Sequence, residues 1–98
     1  MSTELTFSTG RGPDGAVVLA AVGEIDMSNA ARFGTALSDA RGEAADGPLV
    51  LDLTRVEYLD SAGLAAMFPH VESLRLVAGP LLAPLLAVAG LDDITTIA

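Results

Sequence analysis

The spacing of hydrophobic residues along this chain changes several times, and each change marks an element. "ELTF" alternates weakly and predicts a first, edge strand. "AVVLAAV", Ala16 to Val22, is continuous and rich in Val, which predicts a strand buried on both faces and ended by "GEID". In "SNAARFGTALSDA" the period lengthens. Ala30, Phe33, Leu37 and Ala40 share one helix face, and Asp26 or Ser28 is placed to cap the first turn. "ARGEAADGP" predicts an exposed loop, and "LVLDLT", Leu49 to Thr54, the clearest strand. "SAGLAAMF" predicts a short helix ending by Phe68, because Pro69 lacks an N–H and clashes with the preceding turn. "SLRLVA" alternates as a strand. "PLLAPLLAVAG" predicts a helix whose start Pro84 limits and whose stop is Gly90, and "ITTIA" predicts a last strand.

The predicted order is β-β-α-β-α-β-α-β. Strands alternating with helices predict an α/β fold: a mixed, mainly parallel sheet of four to five strands, with about three helices packed mostly on one face. A single domain is expected over residues 1–98. "GRGPDG", Gly10 to Gly15, supplies the turn of an opening antiparallel hairpin. In sheets of this kind, sites gather where strands enter helices at their carboxyl ends. "GEID" and "LDSAGL" both fall at such positions.

Composition narrows the chemistry. The chain is 51% hydrophobic but only 4% aromatic, so its core is Leu, Val, Ile and Ala, with few deep cavities for a large cofactor. No cofactor is expected. Five Lys and Arg against thirteen acids give a net charge of −8. Phosphate neutralisation needs clustered cations, so no nucleic acid is expected as partner, nor an anionic membrane surface. The electrostatic complement is a basic protein surface. There is no Cys and one His, which disfavours thiolate chemistry and a His-rich metal site. The uncharged run Leu76–Leu91 is sixteen residues long and holds Pro80 and Pro84. A span needs roughly 20, so no membrane insertion is expected. The N-terminus lacks a signal-peptide pattern, and a cytoplasmic protein is expected.

Few residues are placed for catalysis. "GRGPDG" matches G-x-G-x-x-G only formally, since a strand follows it and Pro13 interrupts it. Ser61, His70 and an Asp lack the G-x-S-x-G elbow and an oxyanion loop, and His70 reads as an exposed loop residue. Glu24, Asp26, Asp52, Asp60, Asp92 and Asp93 show no calcium-loop spacing and read as scattered solvated acids. Ser61 keeps two readings. It caps the helix that follows it, or it sits where free N–H groups tolerate a phosphate. The residues alone leave both open.

Three stretches, "VVLAAVGEIDMSNAARF", "LVLDLTRVEYLDSAGLAAMF" and "LRLVAGPLLAPLLAVAGLDDI", together resemble the STAS domain of bacterial anti-sigma factor antagonists. The resemblance runs from about Ala16 onward. "GEID" and "VLDLTRVEYLDSAGL" are its most specific parts, and "AGLDDI" adds support. It implies a regulatory binding module, not an enzyme. Such a domain binds an anti-sigma factor that carries a GHKL-type serine kinase domain, and so frees a sigma factor. The kinase reverses this by phosphorylating the Ser of D-S-x-G-L, which matches Ser61. Asp60 matches the motif's acid, Gly63 its glycine, and Asp26 the acid of the neighbouring loop. ATP then belongs to the partner. The chain departs from the family where Pro69 cuts short the helix usually offered to partners. An alternative within the same resemblance is an accessory subunit of an ABC-type lipid transport system, packed on an ATPase and not phosphorylated.

Overall fold

The structure, a computed structural model, describes residues 4–12, 14–91 and 93–97. Its strands are β1 Thr6–Arg11, β2 Val17–Ile25, β3 Leu49–Leu59, β4 Leu74–Ala78 and β5 Ile94–Thr96. They lie in one sheet in chain order, β1 antiparallel to β2 and every later pair parallel. Helices α1 (Ala30–Ala44), α2 (Ser61–Met67) and α3 (Ala83–Val88) make the crossovers. Each crossover advances one strand in the same direction. Right-handed connections then place every helix on the same face. The expected α/β architecture is present, with five strands.

The core fills the space under the helices. Val17, Leu19, Ala21 and Ile25 of β2 are buried, and the register sets Leu49 and Leu51 beside Val17 and Leu19, then Leu74 and Leu76 beside those. Phe33, Leu37, Ala40 and Ala44 of α1, Met67 of α2 and Leu86 of α3 close over this face. Phe7 of β1 joins it, stacked on Phe33 with ring centroids 6.3 Å apart. Val18, Ala20, Val22 and Glu24 of β2 are only half-buried, so the expectation of a strand buried on both faces is corrected. Val18, Ala20 and Val22 lie on the open face. They made the run look continuous although no helix covers them.

Other boundaries moved for local reasons. β1 takes in Gly10 and Arg11, which pair with Val18 and Val17. The turn shrinks accordingly: the Gly12 N–H donates to Ala16 O at 2.8 Å, and Asp14 Oδ1 accepts the Ala16 N–H at 3.1 Å. Pro13 lies outside the described residues. α1 continues to Ala44, where a loop was expected from Ala40, because Ala44 extends the buried stripe. The Arg41 guanidinium then donates to Ala45 O and Ser73 O, tying the helix end to the chain before β4. α2 stops at Met67, as Pro69 requires, but the chain continues as a 3₁₀ helix, Phe68–Ser73. Pro69 sits in its first turn, where no N–H is needed. His70 is therefore half-buried in a helical turn, not exposed in a loop. α3 starts just before Pro84 and closes at Gly90. The Leu91 N–H donates to Leu86 O at 3.0 Å and the Gly90 N–H to Ala87 O at 3.1 Å. The buried Leu86 and Leu91 complete that cap.

β3 departs most from expectation, running through Leu59, beyond the predicted end at Thr54. Its register with β2 slips twice. Ala20 pairs with Asp52 but Val22 with Arg55, and Gly23 pairs with Val56 but Glu24 with Tyr58. Each slip is a bulge that adds one residue to β3. Burial then falls on Leu53, Val56 and Leu59, every third residue. Asp52 braces the first bulge, its Oδ1 accepting the Thr54 N–H at 2.9 Å and hydroxyl at 2.7 Å. Gly23 faces the second with φ +114°, a region that favours glycine. The bulges leave β2 and β3 ending level, Ile25 beside Leu59. Gly23→Ala is expected to cost roughly 1–3 kcal/mol in urea unfolding, with an unchanged m-value, from backbone strain alone.

Candidate functional site

The first turn of α2 rests on those level strand ends. A Cβ at position 63 would lie 2.8 Å from Ile25 Cγ2 and overlap Leu59 Cδ1. Gly63 thus removes the atom that would lift the helix away. The seat brings the loop after β2, which carries Asp26, to the loop after β3, which carries Asp60.

Asp60 makes the connection. Its Oδ1 accepts the Ala62 and Gly63 N–H groups at 3.0 and 3.1 Å. Its Oδ2 accepts the Met27 N–H at 3.2 Å, and its own N–H donates to Ile25 O at 3.2 Å. The reading of Ser61 as the cap is corrected: the helix begins at Ser61, so the cap position falls to Asp60. A carboxylate there also suits the positive end of the helix. Ser61 is exposed, and its hydroxyl has no hydrogen-bond partner among the described residues.

The loop after β2 is folded by its own side chains. Asn29, not Asp26 or Ser28, occupies the α1 cap position, and it makes no side-chain cap bond. Its Oδ1 instead accepts the Asp26 N–H, and its Nδ2 donates to Glu24 O, each at 2.9 Å. Asp26 Oδ1 accepts both the hydroxyl and the N–H of Ser28. These two donors hold the Asp26 carboxyl below its ordinary value of 3.8. Asp26, Asp52 and Asp60 are therefore not scattered solvated acids. Each organises a turn, a bulge or a cap. Among the described residues, no group of three acids, His or Cys could hold a metal ion. Asp92 lies outside the described residues.

Asp26, Asp60, Ser61 and Gly63 thus lie at one end of the sheet. Two further residues there were missed in the sequence. Met27 is 83% exposed on the loop, and Phe68 is 46% exposed just past α2. With Ser61 and Ala65, Phe68 follows helical spacing along the outer side of α2. A Met inside the polar turn "IDMSN" was the available signal. Phe68 gave none, since "LAAMF" reads as one apolar run.

Comparison with known proteins identifies the family and the fold. The family model described as "Mlab, STAS domain" matches residues 8–96. The chain belongs to the STAS-domain family. An anti-sigma factor antagonist from Mycobacterium paratuberculosis is a structural match at 29% identity and TM-score 0.80, covering 95% of this chain and 85% of that one. The anti-sigma factor antagonist SpoIIAA in its unphosphorylated form matches at 17% identity and TM-score 0.73, covering 95% and 89%. The Bacillus cell fate determinant SpoIIAA in its phosphorylated form matches at 17% identity and TM-score 0.68, covering 95% and 92%. The SpoIIAA structures share the fold. No curated protein matches the chain. No described helix of this STAS domain is long and apolar enough to cross a membrane.

Two outcomes follow from the site. Gly63→Ala is expected to destabilise the STAS domain by about 1–3 kcal/mol through overpacking against Ile25 and Leu59, read by urea unfolding. Ser28→Ala is expected to raise the Asp26 pKa toward 3.8, read by carboxyl NMR titration. A lowered folded pKa contributes stability above the ordinary value, and that stability is lost as pH falls through the folded value. Ser28→Ala should flatten that acid-side dependence.

Proposed function

We propose that this STAS domain is a cytoplasmic anti-sigma factor antagonist switched by phosphorylation of Ser61. One observation carries the reading: Asp60 caps α2, and the exposed Ser61 hydroxyl is unpartnered among the described residues. A kinase can take that hydroxyl without removing a hydrogen bond from the fold. The similarity to the Mycobacterium paratuberculosis antagonist supports the role. So does the fold shared with SpoIIAA, a protein with structures in both phosphorylation states. The partner is an anti-sigma factor with a GHKL-type serine kinase domain, and a net charge of −8 suits a basic surface on it.

In the switching step, the γ-phosphoryl group of ATP held by the partner passes to the Ser61 oxygen. The hydroxyl proton is released and ADP leaves. The domain acts as a binding module and needs no cofactor of its own. Phosphate adds about −1.5 to −2 charge. The α2 N-terminus favours that charge and the nearby carboxylates of Asp60 and Asp26 oppose it, so fold stability changes little. A tight interface responds differently, because an unpaired buried charge costs several kcal/mol. Even about 2.8 kcal/mol weakens binding a hundredfold.

A second reading, the unphosphorylated accessory subunit of an ABC lipid transport system, is favoured by one feature. α2 is seven residues long before the 3₁₀ helix takes over, which leaves little helix to offer a kinase. The deciding experiment titrates Ser61→Ala and Ser61→Glu against the cognate anti-sigma factor, with thermal melts alongside. Ser61→Ala should bind and resist release by the kinase and ATP. Ser61→Glu should bind about a hundredfold more weakly and melt close to wild type. Mass spectrometry of the native protein should find phosphate on Ser61. Equal affinity of both variants would overturn the switch, and recovery of a transporter ATPase in a pull-down would select the second reading.

A further inference from the structure

We infer that Asp60 is the positioning residue that registers the Met27 loop against α2, and that a charge added at Ser61 acts on the surface through it; the second part rests on the proposed role of Ser61. The bonds among Glu24, Asp26, Ser28 and Asn29 fold the loop on itself. They fold it onto the end of β2, through Glu24 O, but none of them reaches α2. Burial does not seat it either, since the Met27 side chain is almost fully exposed. The bond from the Met27 N–H to Asp60 Oδ2 crosses 33 residues of sequence and ties the loop to the residue before Ser61.

The two arms of the carboxylate are unequal. Oδ1 holds two N–H groups in a partly buried setting, whereas Oδ2 holds one, in an exposed setting, at 3.2 Å. Negative charge on the adjacent residue repels the carboxylate and competes for the N–H groups of the first turn. The single exposed bond yields first. The Met27 loop then loses its register with the start of α2, and a partner that spans both halves is released by more than the bulk of the phosphate.

Amide hydrogen exchange, followed by NMR on the full chain, tests this without a partner. Asp60→Asn keeps one oxygen for the Ala62 and Gly63 N–H groups, but offers Met27 a donor where an acceptor is needed. Asn caps a helix as well as Asp does. The Met27 amide should exchange about tenfold faster, Ala62 and Gly63 should stay protected, and the melting temperature should move by only a few degrees. Asp60→Ser, a second capping side chain too short to span both groups, should repeat the pattern. Ser61→Glu should also speed Met27. Unchanged Met27 exchange in Asp60→Asn, or joint loss of protection at Met27, Ala62 and Gly63 in that variant, would overturn the positioning role. Ser61→Glu that loses the anti-sigma factor while Met27 exchange holds would overturn the coupling and leave the switch standing. Faster Met27 exchange in both variants, with no binding of wild type to an anti-sigma factor, would support the coupling and remove the proposed partner instead.

Discussion

α2 begins where two strands stop, and its first turn has no room for a side chain at position 63. That close approach sets most of what surrounds it. Ile25 and Leu59 are buried beneath the helix, so the last residues of β2 and β3 belong to the core and to the floor of the site at once. The helix cannot drift without opening that core. Asp60 is therefore placed by packing. Its carboxylate then carries that position across to the Met27 loop, which packing alone does not seat.

The strands must deliver Ile25 and Leu59 level with each other, and the two bulges in β3 do this. Without them the residues facing the helices would fall out of phase toward the carboxyl end, since side chains alternate strictly along an unbroken strand. Asp52 and Gly23 are not among the candidate site residues, yet they set the floor of the site through the bulges. The open face of the sheet makes no such demand, and small apolar residues suffice there.

The sequence revealed elements wherever one period held. The helix stripe of Phe33, Leu37 and Ala40, the strand "LVLDLT", the proline stop after α2 and the Gly90 cap all appeared where local pattern placed them. It misled where two signals overlapped. "RVEYL" buries every third residue because of the bulges, which conceals a strand. Val18, Ala20 and Val22 made an open face look covered. The four residues of the candidate site were named from the resemblance, and the fold brings their loops together. Their division of labour was not legible, because Asp60 and Ser61 are adjacent and both are good caps. Only the position of the first helical residue separates them. The Met27 side chain left a signal inside "IDMSN", but the bond of its backbone N–H to Asp60 is one that no side-chain pattern reports.

The outward residues at this end, Met27, Ser61, Ala65 and Phe68, are exposed, whereas the inward ones, Ile25, Leu59, Gly63 and Met67, are buried. On the proposed function, address and chassis are thus carried by different side chains on the same two short segments. Duplicate copies of a domain with that function can diverge in whom they recognise by exchanging a few outward residues while the buried ones stay constant. Crosstalk between parallel regulatory circuits then depends on those few positions, and insulation between circuits can evolve while the scaffold stays constant.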